Sequence, residues 1–480
     1  MALSVAAVAE EKNVLFRAPD SLGGLQRLID DIEEKYSRLF LLSPQFDRKL
    51  VSFQANKNSP VYRLFKYKEG FSAALVAHFI DHLDIGEGPV LDPFGGTGTT
   101  SIVSASRGVP SAGIELLPVG NLIARSRLEI ARGLSNLTLR RLRHWKDQKP
   151  WKSCRDHAPL PALRITRDAY PPETEESVAQ FLHCANEEAG QAGTILLFAL
   201  CAILEDVSYT RKDGQYLRWD YRSKRRAGKK PFNKGAIHAF DEAVQNKLRD
   251  IIEDSAPAGR PALFPEKPSF HGDVKFIDGS CLSAMQDLDD DSFRAVITSP
   301  PYCNRYDYTR TYALELAVLG VDEKGISDLR QTMLSCTVEN RSKDLLAING
   351  AWSEILSYCD EHPLLCSIHR YLTDLKSAGE LNNNGIPRMV NGYFREMACV
   401  IHESARVLKR GGHMLMVNDN VRYAGVPVPV DAILSDIAGQ CGLVTDRIMV
   451  LPSSKGNSSQ QMGLHGRRPL RKCIYAWSKP

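Results

Sequence analysis

Two stretches of the 480-residue chain carry residue types that could do chemistry. The first is DPFGGTGTT, Asp92 to Thr100, entered through the apolar Pro89-Val90-Leu91. It reads as a strand, a tight turn and a helix that stops at Gly108. Glycines let the backbone take positive φ and pass close to a ligand. The helix N-terminus then offers N–H groups and a partial positive charge to an anionic group. Alone, this points to a nucleotide-like cofactor. The third glycine of a GxGxxG turn would fall at Ser101, which disfavours NAD. The second stretch is Ser299-Pro300-Pro301-Tyr302, at the tip of the apolar run FRAVIT (293–298). Its two prolines stiffen the turn, because φ is fixed at both.

The elements that must position these residues follow a βα rhythm. A strand over 90–94 leads into a helix over 99–107. A second strand over 111–116 carries Glu115 at its end, placed to accept hydrogen bonds from a ribose diol. A helix over 119–131 follows. Strands resume at 274–277, with Asp278 at the tip, and at 293–298. A turn and helix over 304–319, a helix over 392–408 ended by Gly411-Gly412, a fifth strand over 413–418 and a helix over 430–441 come next. Two last strands, 443–451 and 472–477, are suited to antiparallel pairing. Asp92, Glu115, Asp278 and Ser299 all fall at carboxyl ends of strands, where open parallel sheets bind ligands. Before the first strand, the pattern predicts helices over 22–42 and 73–83, the latter capped by Ser72.

The rhythm breaks twice. Residues 133–268 form a first insertion, with one helix over 174–207 and a Pro-rich return over 257–268. Between them lies a basic stretch that includes Arg218, Arg222, Lys224, Arg225, Arg226, Lys229 and Lys230, interleaved with Tyr209, Tyr216, Trp219, Tyr221 and Phe232. Clustered cations with aromatics suit a phosphate backbone and exposed bases; the plainer reading is a solvated basic loop. Residues 321–390 form a second insertion. Its Cys359, His362, Cys366 and His369 fall on one face if the segment is a helix. Four ligands along one helix cannot close a tetrahedron around zinc, so no metal is expected. The polar segment 453–471 offers Arg467, Arg468 and Arg471 as phosphate contacts, or as an ordinary exposed loop.

Composition is that of an ordinary soluble protein, with a net charge of +4. The apolar run 194–204 is too short to span a bilayer. The start MALSVAAVAEEKN lacks the basic region of a signal peptide. Eleven cysteines without a CxxC pair fit reduced thiols in the cytoplasm.

Taken together, DPFGGTGTT (92–100), GIEL (113–116), SPPY (299–302), FKYKEGFS (65–72) and RVLKRGGHMLM (406–416) resemble the amino-group DNA methyltransferases of the SPPY type. That family methylates cytosine N4 or adenine N6. The resemblance covers about half of the chain, outside both insertions, and the pairing of DPFxGxGT with SPPY is far more specific than either motif alone. It implies an α/β fold: a Rossmann-like class I methyltransferase sheet, mostly parallel with an antiparallel last strand, carrying two large insertions. The catalytic core would comprise 89–132, 269–320 and 391–480, with 1–88 a helical region that closes the cofactor site.

The resemblance also implies roles. S-adenosyl-L-methionine would lie against Gly96, Gly98 and Phe94. Asp92 would help hold its amino-acid end, Glu115 its ribose and Asp278 its adenine amine, with Phe71 and Ser72 closing the other side. Ser299 and the Pro300 carbonyl would accept the N–H bonds of the target amine, Pro301 would stiffen the turn, and Tyr302 would stack on a base flipped from double-stranded DNA. Ser at the head of SPPY goes with cytosine N4 and Asp with adenine N6, so N4-cytosine is favoured over N6-adenine. The 133–268 insertion is the expected target-recognition region. The expected setting is the bacterial cytoplasm, with a restriction or defence partner.

Rival readings are an RNA methyltransferase of the guanine N2 type, a non-catalytic nucleic-acid-binding subunit, and a small-molecule methyltransferase. RNA enzymes of this kind usually carry Asp in place of Ser299 and a sizeable domain in front. Intact motifs argue against a decayed subunit, and the basic aromatic stretch argues against a small substrate. No Pro-Cys dipeptide is present, which disfavours the carbon-5 cytosine class.

Overall fold

A strand with apolar residues at successive positions is buried on both faces, and Ala295-Val296-Ile297 in FRAVIT shows the alternation this requires. Ala295 and Ile297 join one core, with Ile102, Val103 and Ile123. Val296 joins the other, with Leu91, Ile114, Met414 and Met416. The computed structural model describes residues 21–480 apart from 47–48, 84, 86–87, 156, 162, 214–215, 226–230, 256–271 and 453–469.

The described strands are β1 (Phe40–Leu42), β2 (Val90–Asp92), β3 (Ser111–Glu115), β4 (Thr210–Asp213), β5 (Tyr216–Trp219), β6 (Val274–Asp278), β7 (Phe293–Thr298), β8 (Leu408–Asp419), β9 (Val421–Tyr423), β10 (Val426–Val428), β11 (Val444–Val450) and β12 (Lys472–Ser478). One eight-stranded sheet runs β1-β11-β12-β8-β7-β2-β3-β6. Strand β12 is antiparallel to both β11 and β8. The other pairs are parallel. This is the expected Rossmann-like sheet. From β2 the chain first builds outward through β3 to β6, then returns to lay β7 and β8 on the other side. The crevice between β2 and β7 is therefore the topological switch point, where ligands bind in such sheets.

Helices Thr99–Ser106 and Pro118–Arg132 cover one face, and Ile386–Val407 and Val430–Gln440 cover the other. The first insertion adds helices Pro172–Glu187, Gly190–Val207 and Phe240–Ser255, packed around Trp145, Trp151, Phe181 and Phe240. Among the described residues, Gly190–Val207 is the helix long and apolar enough to cross a membrane, and most of it is buried inside this layer.

Several sequence expectations need correcting. The helix over 22–42 stops at Lys35, and Phe40–Leu42 becomes an edge strand beside β11. The helix over 174–207 is two, broken at 188–189 ahead of Gly190, whose φ is +67°. The helix over 304–319 is two short ones, Tyr308–Thr311 and Ala313–Val318. The segment holding Cys359 to His369 is not one helix either. Pro363 starts a new one, and His362 caps it by accepting from the Leu365 amide. Among the described residues no cluster of His, Cys, Asp or Glu could hold a metal. The Pro-rich return over 257–268 lies outside the described residues.

Candidate active site

Strand β2 ends on Asp92, and the chain turns at once through Gly96 and Gly98, at φ +52° and +76°. Gly98 is required twice over. Its φ suits glycine, and a Cβ there would sit 2.9 Å from the Ala124 Cβ of the next helix. Gly96 donates its amide to Glu115 Oε2 at 2.8 Å, and Leu117 donates to Oε1 at 2.7 Å. The acid at the end of β3 is thus locked against the turn. Burial raises its carboxyl to about 7, against the pull of these amides.

The turn opens into a cleft of about 800 Å³, open to solvent. Phe94, Gly96, Thr97, Ile114 and Glu115 line one side. Tyr67, Glu69, Gly70 and Phe71 line another. Ser299, Pro301 and Tyr308 line the cleft as well, as do Gly279, Ser280 and Cys281 beyond the tip of β6. Three carboxylates, Glu69, Asp92 and Glu115, line the cleft, and among the described residues no Lys, Arg or His does. An apolar cleft with this balance suits a cationic ligand with a flat ring and a diol. It is a poor fit for a pyrophosphate.

The sequence-predicted residues are placed as follows. Asp92, Phe94, Gly96, Glu115, Phe71, Ser299 and Pro301 line the cleft, while Gly98 supports the turn from behind. Asp92 is buried, and its oxygens accept from Thr298, Thr100 and the Phe94 amide. Ser72 is fully buried behind Phe71 and caps the helix Ala73–His82 by accepting from the Leu75 amide at 3.2 Å. Asp278 turns outward. Its carboxylate, 63% exposed, pairs with Arg125 at 2.7 Å, and the three residues after it form the wall instead. Ser299 Oγ lies 3.1 Å from the Val417 carbonyl and 3.3 Å from Tyr302 Oη. Pro300 is buried beside it.

The basic stretch is more structured than its composition suggests. Strands β4 and β5 form a hairpin. Arg218 lies over Phe232 and pairs with Asp213. Arg222 makes paired bonds to Asp220, and Arg225 packs on Trp219 while donating to the carbonyls of Arg164 and Arg167. Lys224 is exposed, and Arg226, Lys229 and Lys230 lie outside the described residues. Of the C-terminal arginines, Arg471 is not a free phosphate contact. It pairs with Asp431 and Glu33. Arg467 and Arg468 lie outside the described residues.

Sequence reasoning missed Arg127. Its guanidinium, almost fully buried, donates to the carbonyls of Tyr62 and Phe65 and to Thr97 Oγ1. Desolvation lowers it to about 10. It pins the 62–67 segment to the glycine turn and so closes the cleft. Only its place on an apolar helix face hinted at this. Glu69 was missed as well; it accepts from the hydroxyls of Tyr306 and Tyr312 at the cleft edge.

No protein-family profile matches the chain. Curated proteins do. The type II methyltransferase M.AvaI of Nostoc sp. strain PCC 7120 is 49% identical over 457 residues, covering 95% of this chain and 94% of its own. The type II methyltransferase M.BsoBI of Geobacillus stearothermophilus is 42% identical over 474 residues, covering 94% and 91%. A third, M.MjaII of Methanocaldococcus jannaschii, is 30% identical over 114 residues, 21% of each chain. Coverage as high as that of the first two leaves no room to omit either insertion, so the likeness is to the whole architecture and not to the cofactor turn alone. The chain belongs to the type II methyltransferase family.

Proposed function

We propose that this DNA methyltransferase, of the SPPY type, transfers a methyl group from S-adenosylmethionine to the exocyclic N4 of cytosine within a specific double-stranded DNA site. The observation that carries the proposal is the meeting of the two motifs. Thr298 bonds to Asp92, and Ser299 shares one cleft with the glycine turn.

The cleft residues fit the cofactor. Bound S-adenosylmethionine supplies an electrophilic methyl on a cationic sulfonium. Glu115 would accept from the ribose diol, Phe94 and Phe71 would lie against the cofactor, and Glu69 would offer a carboxylate to its cation. The adenine amine falls to the segment at Asp278, with Ser280 nearer to the cleft. Asp92 acts mainly by holding the two strand tips together.

The target amine is a poor nucleophile because its lone pair is delocalised into the ring. Ser299 Oγ and the Pro300 carbonyl accept its two N–H bonds and draw the nitrogen toward sp³, which aims the lone pair at the methyl. As the new C–N bond forms, the bond from that methyl to sulfur breaks. The nitrogen then loses one proton to water. Positioning is the main catalytic contribution. The Tyr302 ring stacks on the flipped base. Ser at the head of SPPY supports cytosine N4 over adenine N6. Residues 133–268 contribute target recognition, and the setting is self-marking in a bacterial restriction-modification system in the cytoplasm.

The test is direct. Purified protein is incubated with labelled S-adenosylmethionine and mixed DNA and RNA, and the products are digested and identified by mass. N4-methylcytosine in DNA is the expected product. N6-methyladenine would keep the site but overturn the base assignment, and label in RNA alone would overturn the substrate.

A further inference from the structure

The segment Phe65-Lys66-Tyr67-Lys68-Glu69 is held by two different parts of the chain. Tyr67 and Glu69 line the cleft. The Tyr67 ring stacks on that of Tyr312, at 5.1 Å between centroids and 16° between planes. Glu69 accepts from the hydroxyls of Tyr312 and Tyr306. Lys66 and Lys68 bond instead to the first insertion. Lys66 pairs with Glu205 at 3.4 Å, and Lys68 donates to the Lys212 carbonyl. Five residues thus join the insertion to the cleft.

Lys212 is the other half of that joint. Burial alternates along β4: Arg211 and Asp213 are exposed, Thr210 and Lys212 buried. Lys212 is 4% exposed, and its ammonium donates to Glu315, 1% exposed, in the helix that follows Tyr312. The same ammonium lies 4.5 Å from the centroid of the Tyr312 ring and 5.0 Å from that of Phe65. A buried ion pair adds little net stability, because desolvating two charges offsets their attraction. Two apolar side chains would fill the space as well. They would not hold two aromatic rings at once through a positive charge. The ammonium fixes Tyr312, the ring on which Tyr67 rests and whose hydroxyl Glu69 accepts.

We propose that Lys212 is a positioning residue for the cofactor: it holds Tyr312 and Phe65 by its ammonium and Lys68 by its carbonyl, and so sets the Tyr67 and Glu69 wall of the cleft. The first insertion is then a working part of the cofactor site as well as the expected target-recognition region. This rests on the reading of the cleft as the S-adenosylmethionine site. It does not depend on which exocyclic amine is the target.

Two charges must be removed together to test it. Lys212→Met alone strands the Glu315 carboxylate in a dry site and should lower stability. Lys212→Met with Glu315→Met removes both charges and should restore stability. In that double variant of the full chain, calorimetry should still show S-adenosylmethionine bound roughly 5- to 20-fold more weakly, the scale of one desolvated cation–π contact. In methylation assays the KM for S-adenosylmethionine should rise to match. The kcat at saturating cofactor and the KM for DNA should stay close to wild type. A merely structural role would recover along with stability, so wild-type cofactor affinity in the stable double variant would overturn the proposal. If the double variant does not fold, Lys68→Met, at a half-buried position, cuts the other tie, and wild-type affinity there is equally fatal. The wild-type arm separates the two readings. A wild type that binds no S-adenosylmethionine refutes the cleft assignment, whereas equal binding by wild type and variant refutes only the role of Lys212.

Discussion

Thr298 Oγ1 donates to Asp92 Oδ1 across 2.6 Å, so the residue before SPPY holds the acid that begins the glycine turn. Thr100 donates to the other oxygen at 2.8 Å. Burial lifts the Asp92 carboxyl to about 6, and these bonds pull the other way. The acid is a knot between two motifs far apart in the chain. Replacing Thr298 by the isosteric valine leaves a buried acceptor short of a partner, a loss of about 1–3 kcal/mol. Denaturant unfolding should show that loss, and calorimetry should show weaker cofactor binding. Wild-type values for both would mean the bond does not couple the motifs.

Ser299→Ala removes the proposed acceptor for the target amine and takes only one hydroxyl from the cleft wall. The methyl-transfer rate should fall by roughly 100-fold or more, on the scale of losing one positioned transition-state partner. Cofactor affinity should hold. Turnover at the wild-type rate would remove Ser299 from the mechanism.

Glu115 predicts a pH dependence of cofactor binding. Burial raises its carboxyl to about 7. In the proposed role, only the carboxylate would accept from both ribose hydroxyls and favour a nearby sulfonium. Affinity should therefore be level above pH 7 and weaken as pH falls through it, by up to ~10-fold per unit. Stability of the free protein runs the opposite way. The folded pKa lies above the unfolded value of about 4.3, so the folded state binds more protons between them and loses stability as pH rises toward 7. Calorimetric titrations at pH 6, 7 and 8 check the first effect. Glu115→Gln should flatten the profile; a flat wild-type profile would refute the assignment.

The strands that deliver Asp92, Glu115 and Ser299 were legible because each combines an apolar run with a polar residue at its tip. Helix ends were less legible. The apolar period of 22–42 runs on past Lys35, and only pairing with β11 makes Phe40–Leu42 a strand. Arg127 was illegible for a related reason. Its partners are backbone carbonyls of a segment far away in the chain, and carbonyls carry no residue-type signal. Asp278 shows the converse. Its strand-end position was read correctly, but whether a side chain turns inward depends on a neighbour such as Arg125.

Arg127→Met tests the closure of the cleft. The variant keeps the bulk of the side chain and leaves the Tyr62 and Phe65 carbonyls without their donor in a dry site. A cost of about 2–4 kcal/mol is expected from bonds to a buried charge. Cofactor affinity should fall with it, because Tyr67 and Phe71 lose their anchor to the glycine turn. A Thr97→Val enzyme loses the hydroxyl bond to the turn and keeps the longer one to the Thr97 carbonyl, so it should weaken cofactor binding less and with a smaller stability loss. If Arg127→Met binds the cofactor as wild type does, the segment is held by its own packing.

The basic hairpin calls for different substitutions than its composition would suggest. Reversing charge at Arg225 would break its contacts with Trp219 and the carbonyls of 164 and 167, and so would confuse folding with DNA binding. Arg211 and Lys224 are exposed. Each changed to Ala should leave stability intact and weaken DNA binding evenly across sequences, if the hairpin faces the phosphate backbone. The slope of log K against log salt should then fall by roughly 0.9 for each phosphate that is no longer neutralised. Fluorescence anisotropy over a salt series with a fixed duplex measures it. An unchanged slope in the double variant would move the DNA-binding surface elsewhere, because exposed cations that touch a phosphate cannot be removed without releasing fewer counterions.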